Sequence, residues 1–138
     1  MDKVTVREIR TDECAAVLQL WQLIDSKSAV TDTLDYLQDL INRAGDLLLV
    51  AEIAGQIIGT VLGAWDGWRG HIYRLVVHPD YRHQGIAHAL VQEVELRLHH
   101  KGARRIYALS NTKEGVLFWS ASRYEATTDT AFVRTYQR

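Results

Sequence analysis

The sequence predicts a mixed α/β domain in which one sheet is covered by helices, in the order β-α-α-β-β-β-α-β-α-β. Three observations lead there. Three strand-like runs follow one another between Leu47 and His78, joined by turns too short to hold a helix. A long amphipathic segment then separates the last of them from another apolar run, as a crossover between parallel strands requires. Two shorter amphipathic segments precede them all.

The first strand rests on Val4, Val6 and Ile9. Thr11 or Asp12 caps a helix that sets Cys14, Val17, Leu18, Trp21 and Ile24 on one side. Asp25-Ser26-Lys27-Ser28 reads as a loop. Thr31 or Asp32 caps a second helix with Leu34, Leu37, Leu40, Ile41 and Ala44 facing inward, and Gly45 stops it. Residues 47–53 and 56–65 form the second and third strands, joined across Ala54-Gly55. Asp66-Gly67 opens the next turn, Gly70 closes it, and residues 71–78 make the fourth strand, which Pro79 ends. These three strands form an antiparallel meander.

The helix over 85–101 buries Ala87, Leu90, Val91, Val94 and Leu98 at i, i+3, i+4 spacing. His99, His100 and Lys101 suit its negative end, and Gly102 its stop. Residues 105–109 read as a fifth strand, parallel to the fourth because a helix links the two. A short helix spans 116–121. A last strand over 130–136 puts Ala131, Val133 and Thr135 on one face and Phe132, Arg134 and Tyr136 on the other.

The bulk properties narrow the function classes. At 138 residues, a single domain spanning 1–138 is expected. The net charge of −1 carries no basic excess for nucleic acid or an anionic membrane. Cys14 stands alone, so no internal disulfide forms, and its helical position reads as core. No apolar run reaches membrane-spanning length and the N-terminus lacks a secretory pattern, so a soluble cytoplasmic protein is expected. None of the six histidines falls in a zinc pattern, and no metal is expected.

The chemistry concentrates in the segment from Val76 to Ala87. An apolar strand stops at a proline, a basic glycine-containing turn follows, and an amphipathic helix begins. That order sets several backbone N–H groups at a helix N-terminus, a site for anionic phosphate. An ordinary strand–helix connection using Gly85 for its backbone angles has the same pattern.

Arg82-His83-Gln84-Gly85-Ile86-Ala87 matches the R/Q-x-x-G-x-G/A signature of the GNAT family of N-acetyltransferases, and Leu75-Val76-Val77-His78-Pro79 resembles that family's fourth strand and its exit. The order of elements and the length agree over nearly the whole chain. The run from Gly59 to Gly70 resembles the YpeA-like bacterial subgroup. The resemblance implies the GNAT acyl-CoA N-acyltransferase fold, with strands four and five parallel and splayed. It implies acetyl-CoA as acetyl donor and an amine acceptor: a small molecule, a peptide N-terminus or a protein lysine. It leaves a homodimer open.

By the same resemblance, backbone N–H groups of His83, Gln84, Gly85, Ile86, Ala87 and His88 hold the pyrophosphate, with charge from Arg82. Leu75, Val76 and Val77 pair with the pantetheine amides as an added strand does. Asn111 matches a family asparagine that contacts the pantetheine region; as a plain residue it suits a turn or cap equally. The implied reaction is aminolysis of a thioester, in which the amine attacks directly while both substrates are bound.

Strand period two sets His71, Tyr73 and Leu75 on one face, and His71 resembles a position where some members carry a catalytic Glu or His. An imidazole suits proton transfer near neutral pH, so His71 is the candidate base and Tyr73 its partner or a substrate-positioning group. Many members carry a tyrosine acid in the helix after strand five, but here Trp119 takes that place and Arg123 replaces a glycine. Tyr124, Tyr107 or solvent is left as the proton source. That departure keeps a second expectation alive, a catalytically weak acyl-CoA-binding regulatory or interaction domain. Trp65 and Trp68 flank the Asp66-Gly67 turn, where they are placed to line an acceptor entrance.

Overall fold

The computed structural model describes residues 3–25, 29–110 and 112–137. Five strands form one sheet in chain order: β1 (Thr5–Glu8), β2 (Leu48–Ile53), β3 (Gln56–Trp65), β4 (Gly70–Val77) and β5 (Ile106–Ala108). The first four are antiparallel neighbours, and β5 lies parallel to β4. The β2–β3 hairpin turns on Ala54 and Gly55, both at positive φ (49° and 81°), the backbone that a two-residue hairpin needs.

Helices cover both faces. On one, α3 (Ile86–Lys101) lays Ile86, Leu90, Val94 and Leu98 against Leu47, Leu49, Ala51, Ile58, Val61 and Ile72. On the other, α1 (Cys14–Ile24) and α2 (Leu34–Ala44) pack Cys14, Val17, Trp21 and Leu37 against Leu48 and Val50. β2 is covered on both sides along Leu48 to Ala51, which is why those four residues are an unbroken apolar run. Full burial of each such Leu or Val contributes roughly 1.5–3 kcal/mol. Arg7 of β1 donates to Glu13 (2.8 and 2.7 Å) and Glu52 (2.7 and 3.1 Å), tying β1 to α1 and β2.

Several sequence expectations are corrected. Neither Thr11 nor Asp12 caps α1; Glu13 holds the position without a side-chain cap bond. Thr33, not Thr31 or Asp32, caps α2 by accepting from the Tyr36 amide at 3.3 Å. Leu34, in the first turn of α2, is 54% exposed rather than inward. Trp65, partly buried, packs against the α3 core. Residues 130–136 form no strand: Phe132 is 93% and Val133 91% exposed. Their alternation leaves neither face consistently apolar, and β propensity without a paired neighbour does not make a strand. Among the described residues no helix is long and apolar enough to cross a membrane.

Candidate active site

The site is built around a fork. β4 pairs with β3 from Gly70 to Val77, but with β5 only through Gly70–Ile72 against Ile106–Ala108. Beyond that point no described strand pairs with the β5-facing edge of Tyr73 to Val77. Leu75, Val76 and Val77 lie on this open stretch.

A bulge reshapes β4 just past the fork. Thr60 pairs with Val76 and Leu62 with Tyr73, so two steps on β3 oppose three on β4. Arg74 takes the strained position, at φ 51°. A buried polar chain holds it there: Trp21 Nε1 donates to Thr60 Oγ1 at 2.9 Å, and Thr60 Oγ1 donates to the Arg74 carbonyl at 2.9 Å. The Arg74 guanidinium pairs with Asp32 and lies 4.8 Å from the Trp21 ring centroid. The bulge also breaks the period-two expectation. Leu75 and Val77 pack with Ile72 on the α3 face, whereas Val76 joins the α1–α2 core. Leu75 therefore does not share a face with His71 and Tyr73.

After β4 the chain makes a 3-10 turn over Pro79–Tyr81, capped by His78 Nδ1, which accepts from the Asp80 amide at 3.1 Å. Arg82 folds back and its Nε donates to the Val77 carbonyl at 3.2 Å. His83 and Gly85 both adopt left-handed φ, 63° and 81°. Gly85 is the N-cap of α3 and offers no side-chain acceptor. The first α3 amide to find an intrahelical acceptor is that of Ala89, to Gly85 O at 3.1 Å. The amides of Ile86, Ala87 and His88 are the unpaired donors of a helix start, at its positive dipole end, and no acidic residue occupies the first turn. His83, Gln84 and His88 are exposed, whereas Ile86 is buried and anchors the helix start in the core.

On the sheet face opposite α3, the fork carries an aromatic row. His71 stacks between Tyr73 and Tyr107, with centroids 6.0 and 5.7 Å away. Arg69 Nη1 donates to the Tyr107 hydroxyl at 2.7 Å, and its Cζ lies 3.9 Å from the Trp68 centroid. The parallel register sets His71 opposite Tyr107, which only the tertiary pairing determines.

Beyond β5, α4 (Lys113–Ala121) carries Trp119, whose ring packs edge-on against Phe118 (5.1 Å) and Tyr124 (4.6 Å) beside the α3 core. Arg123 adopts φ 70°, the conformation that favours glycine. The Tyr124 hydroxyl donates to Glu95 of α3 at 2.6 Å; burial, and then that carboxylate, push its phenol well above the ordinary range. A groove of about 940 Å³ runs between β5, α3 and α4, past Glu95, Trp119 and Tyr124. Among the described residues it includes none of those expected to hold the cofactor. Asn111 lies outside the described residues. Among the described residues no group of three or more His, Cys, Asp or Glu side chains is arranged to hold a metal. Sequence reasoning missed the Thr60–Arg74 bulge and the Arg69 clamp. The bulge had no signal, since arginine does not advertise a positive φ.

Residues 14–116 match the model of the acetyltransferase (GNAT) family. The chain belongs to the GNAT family. It is 39% identical over 104 residues to the acetyltransferase ECA0875 of Pectobacterium atrosepticum, covering 75% of this chain and 74% of that one. Its fold is similar to Ard1 from Thermoplasma volcanium, with a TM-score of 0.79 at 17% identity, over 91% of this chain and 84% of that one. It is also similar to a predicted acetyltransferase from Clostridium acetobutylicum solved with acetyl-CoA, with a TM-score of 0.75 at 18% identity and 96% of each chain covered. In this GNAT chain the matched span takes in the fork, the bulge and the α3 start, and ends inside α4 before Trp119.

Proposed function

We propose that the protein transfers the acetyl group of acetyl-CoA to a primary amine, by direct attack while both substrates are bound. One observation carries the reading: the open edge of β4 leads directly into an uncapped, acid-free helix start. An extended amide-bearing chain ending in a pyrophosphate matches that sequence of features. In this reading the backbone of Leu75, Val76 and Val77 pairs with the pantetheine, and the amides from His83 to His88 receive the pyrophosphate. Arg82 adds positive charge beside them.

The thioester then falls next to the row of Tyr73, His71 and Tyr107 at the fork. The attacking amine must lose a proton as the new C–N bond forms, and His71 takes it, with Tyr73 beside it positioning the amine. The thiolate then leaves. A thiol of ordinary pKa about 8.5 is a fair leaving group, so departure does not depend on an acid at Trp119. The Tyr124 proton is already committed to Glu95.

Acetyl-CoA at about a hundred times its Kd should stabilise the fold by about 2.7 kcal/mol, read as a rise in Tm. Gly85→Glu, which puts a carboxylate among the α3 amides, should abolish the rise. No rise in the wild type sinks the reading. A thiol-release screen against small amines, peptides and protein lysines then separates an enzyme from a domain that only binds acyl-CoA. His71→Ala should slow release while acetyl-CoA still binds. Unchanged turnover across about pH 6–9 removes His71 from the chemistry.

A further inference from the structure

We infer that the amine acceptor carries its own carboxylate, and that Arg69 and Arg105, set over the rings of Trp68 and Tyr107, form the subsite that receives it. The inference rests on the acetyl-transfer reading and adds the acceptor's chemical class.

The arginines that serve the fold are matched to carboxylates. Arg7 pairs with Glu13 and Glu52, Arg74 with Asp32, and Arg97 with Glu8. Arg69 and Arg105 are matched to rings instead. The Arg69 Cζ lies 3.9 Å from the Trp68 centroid and 5.4 Å from that of Tyr107, while one nitrogen donates to the Tyr107 hydroxyl. The Arg105 Cζ lies 5.4 Å from the same Tyr107 ring. Among the described residues neither guanidinium forms an ion pair with a carboxylate. Both retain N–H donors in a planar fork, the geometry that meets a carboxylate with two parallel bonds. The rings hold Arg69 in place, so little side-chain freedom is lost when an anion arrives.

Charge supports the same class. The acid of this turn is Asp66, whose Oδ1 accepts from the amides of Arg69 (2.7 Å) and Trp68 (2.8 Å). Those amides hold its carboxyl below the usual range, so it is ionised and turned to backbone. Two guanidiniums against one carboxylate leave the shelf positive. A polycationic acceptor would be repelled, whereas an amine with an acid group would be drawn in.

Size follows from a shared ring. His71 stacks on Tyr107 at 5.7 Å, and Arg69 and Arg105 approach that ring at 5.4 Å. The proton acceptor and the anion subsite therefore contact the same ring, a separation suited to an amino acid or the end of a short peptide. Trp68, 70% exposed, offers further ring surface beside it.

The test uses the full chain saturated with CoA and titrated calorimetrically with N-acetyl-amino acids and their methyl esters. These product-like probes have no amine to titrate, so only the carboxylate differs. Acids should bind about tenfold more tightly than their esters, the effect of one charge-assisted hydrogen-bonded contact. Arg69→Gln should bring the two to parity, and Arg69→Lys should keep part of the preference. An unchanged Tm without ligand shows that these variants fold. Equal binding of acids and esters, a preference that survives Arg69→Gln, or no binding of any acid overturns the inference. A separate CoA titration, with Gly85→Glu as control, reads the donor site. If CoA fails to bind, the acetyl-transfer reading falls and this inference with it. If CoA binds but the acids show no preference, only the shelf is refuted.

Discussion

The two β–α connections of the parallel pair solve the same problem in opposite ways. β4 enters α3 through Gly85, with no side chain to cap the first amides, whereas β5 enters α4 through Thr112, whose Oγ1 accepts from the Gly115 amide at 3.0 Å. α3 buries five residues, and α4 buries none. At their far ends α3 stops on Gly102 at φ 117°, while α4 stops with Arg123 at φ 70°. The contrast shows where a fold can leave donors open. Core packing anchors α3, so its N-terminal amides can be kept for a ligand. α4 has little packing of its own and relies on its cap. The uncapped helix is the strongly packed one, and it is the one beside the open strand edge.

The largest effect should come from that packing. Leu90→Ala should lose about 2–5 kcal/mol in urea denaturation, and Leu117→Ala, at a 70% exposed position of α4, should stay within about 0.5 kcal/mol. Equal losses would end the claim that α3 is the anchored helix. Next comes the link between the two helices. Tyr124→Phe leaves Glu95 without its donor and should cost about 1.5–3 kcal/mol.

The same pair has a pH signature. The folded phenol stays protonated above the pH, about 10, at which an unfolded tyrosine ionises. Its contribution is therefore complete below about pH 10 and declines as pH rises beyond it. Stability measured from about pH 9 to 11 should fall less steeply in Tyr124→Phe than in the wild type.

Thr112→Ala should cost about 1 kcal/mol, because it removes the side-chain acceptor of the Gly115 amide. The smallest change has the opposite sign. Arg123→Gly should gain about 0.5–1 kcal/mol, since relief of the left-handed strain exceeds the entropy that glycine adds to the unfolded chain. A destabilised Arg123→Gly would mean that the arginine side chain holds α4 in place.

Much of the fold is legible in short stretches of the chain. The apolar doublets of β2, the Ala54-Gly55 turn and the 3.6-residue stripe of α3 are local patterns with a single geometric reading. The donor side of the candidate site is legible for the same reason, since Pro79, Gly85 and the start of α3 are contiguous in sequence. What escapes is non-local. The period-two rule places Leu75 beside His71, and the extra residue at Arg74 turns it to the other face. The alternation over 130–136 suggests a strand, but no strand among the described residues pairs with it.

By itself, then, the sequence determined the order of the elements from β1 to α4, a sheet covered by helices, and a strand–turn–helix unit with the GNAT signature. Short-range sterics and hydrophobic periodicity are enough for those. Tertiary structure alone decided that β4 and β5 part at Ile72, that Thr60 holds a bulge from across the sheet, and that Arg69 meets Tyr107 from residues 38 positions apart. Each of those depends on pairing register and on which side chains share a face. No local pattern encodes that, because it arises only when distant strands are laid side by side.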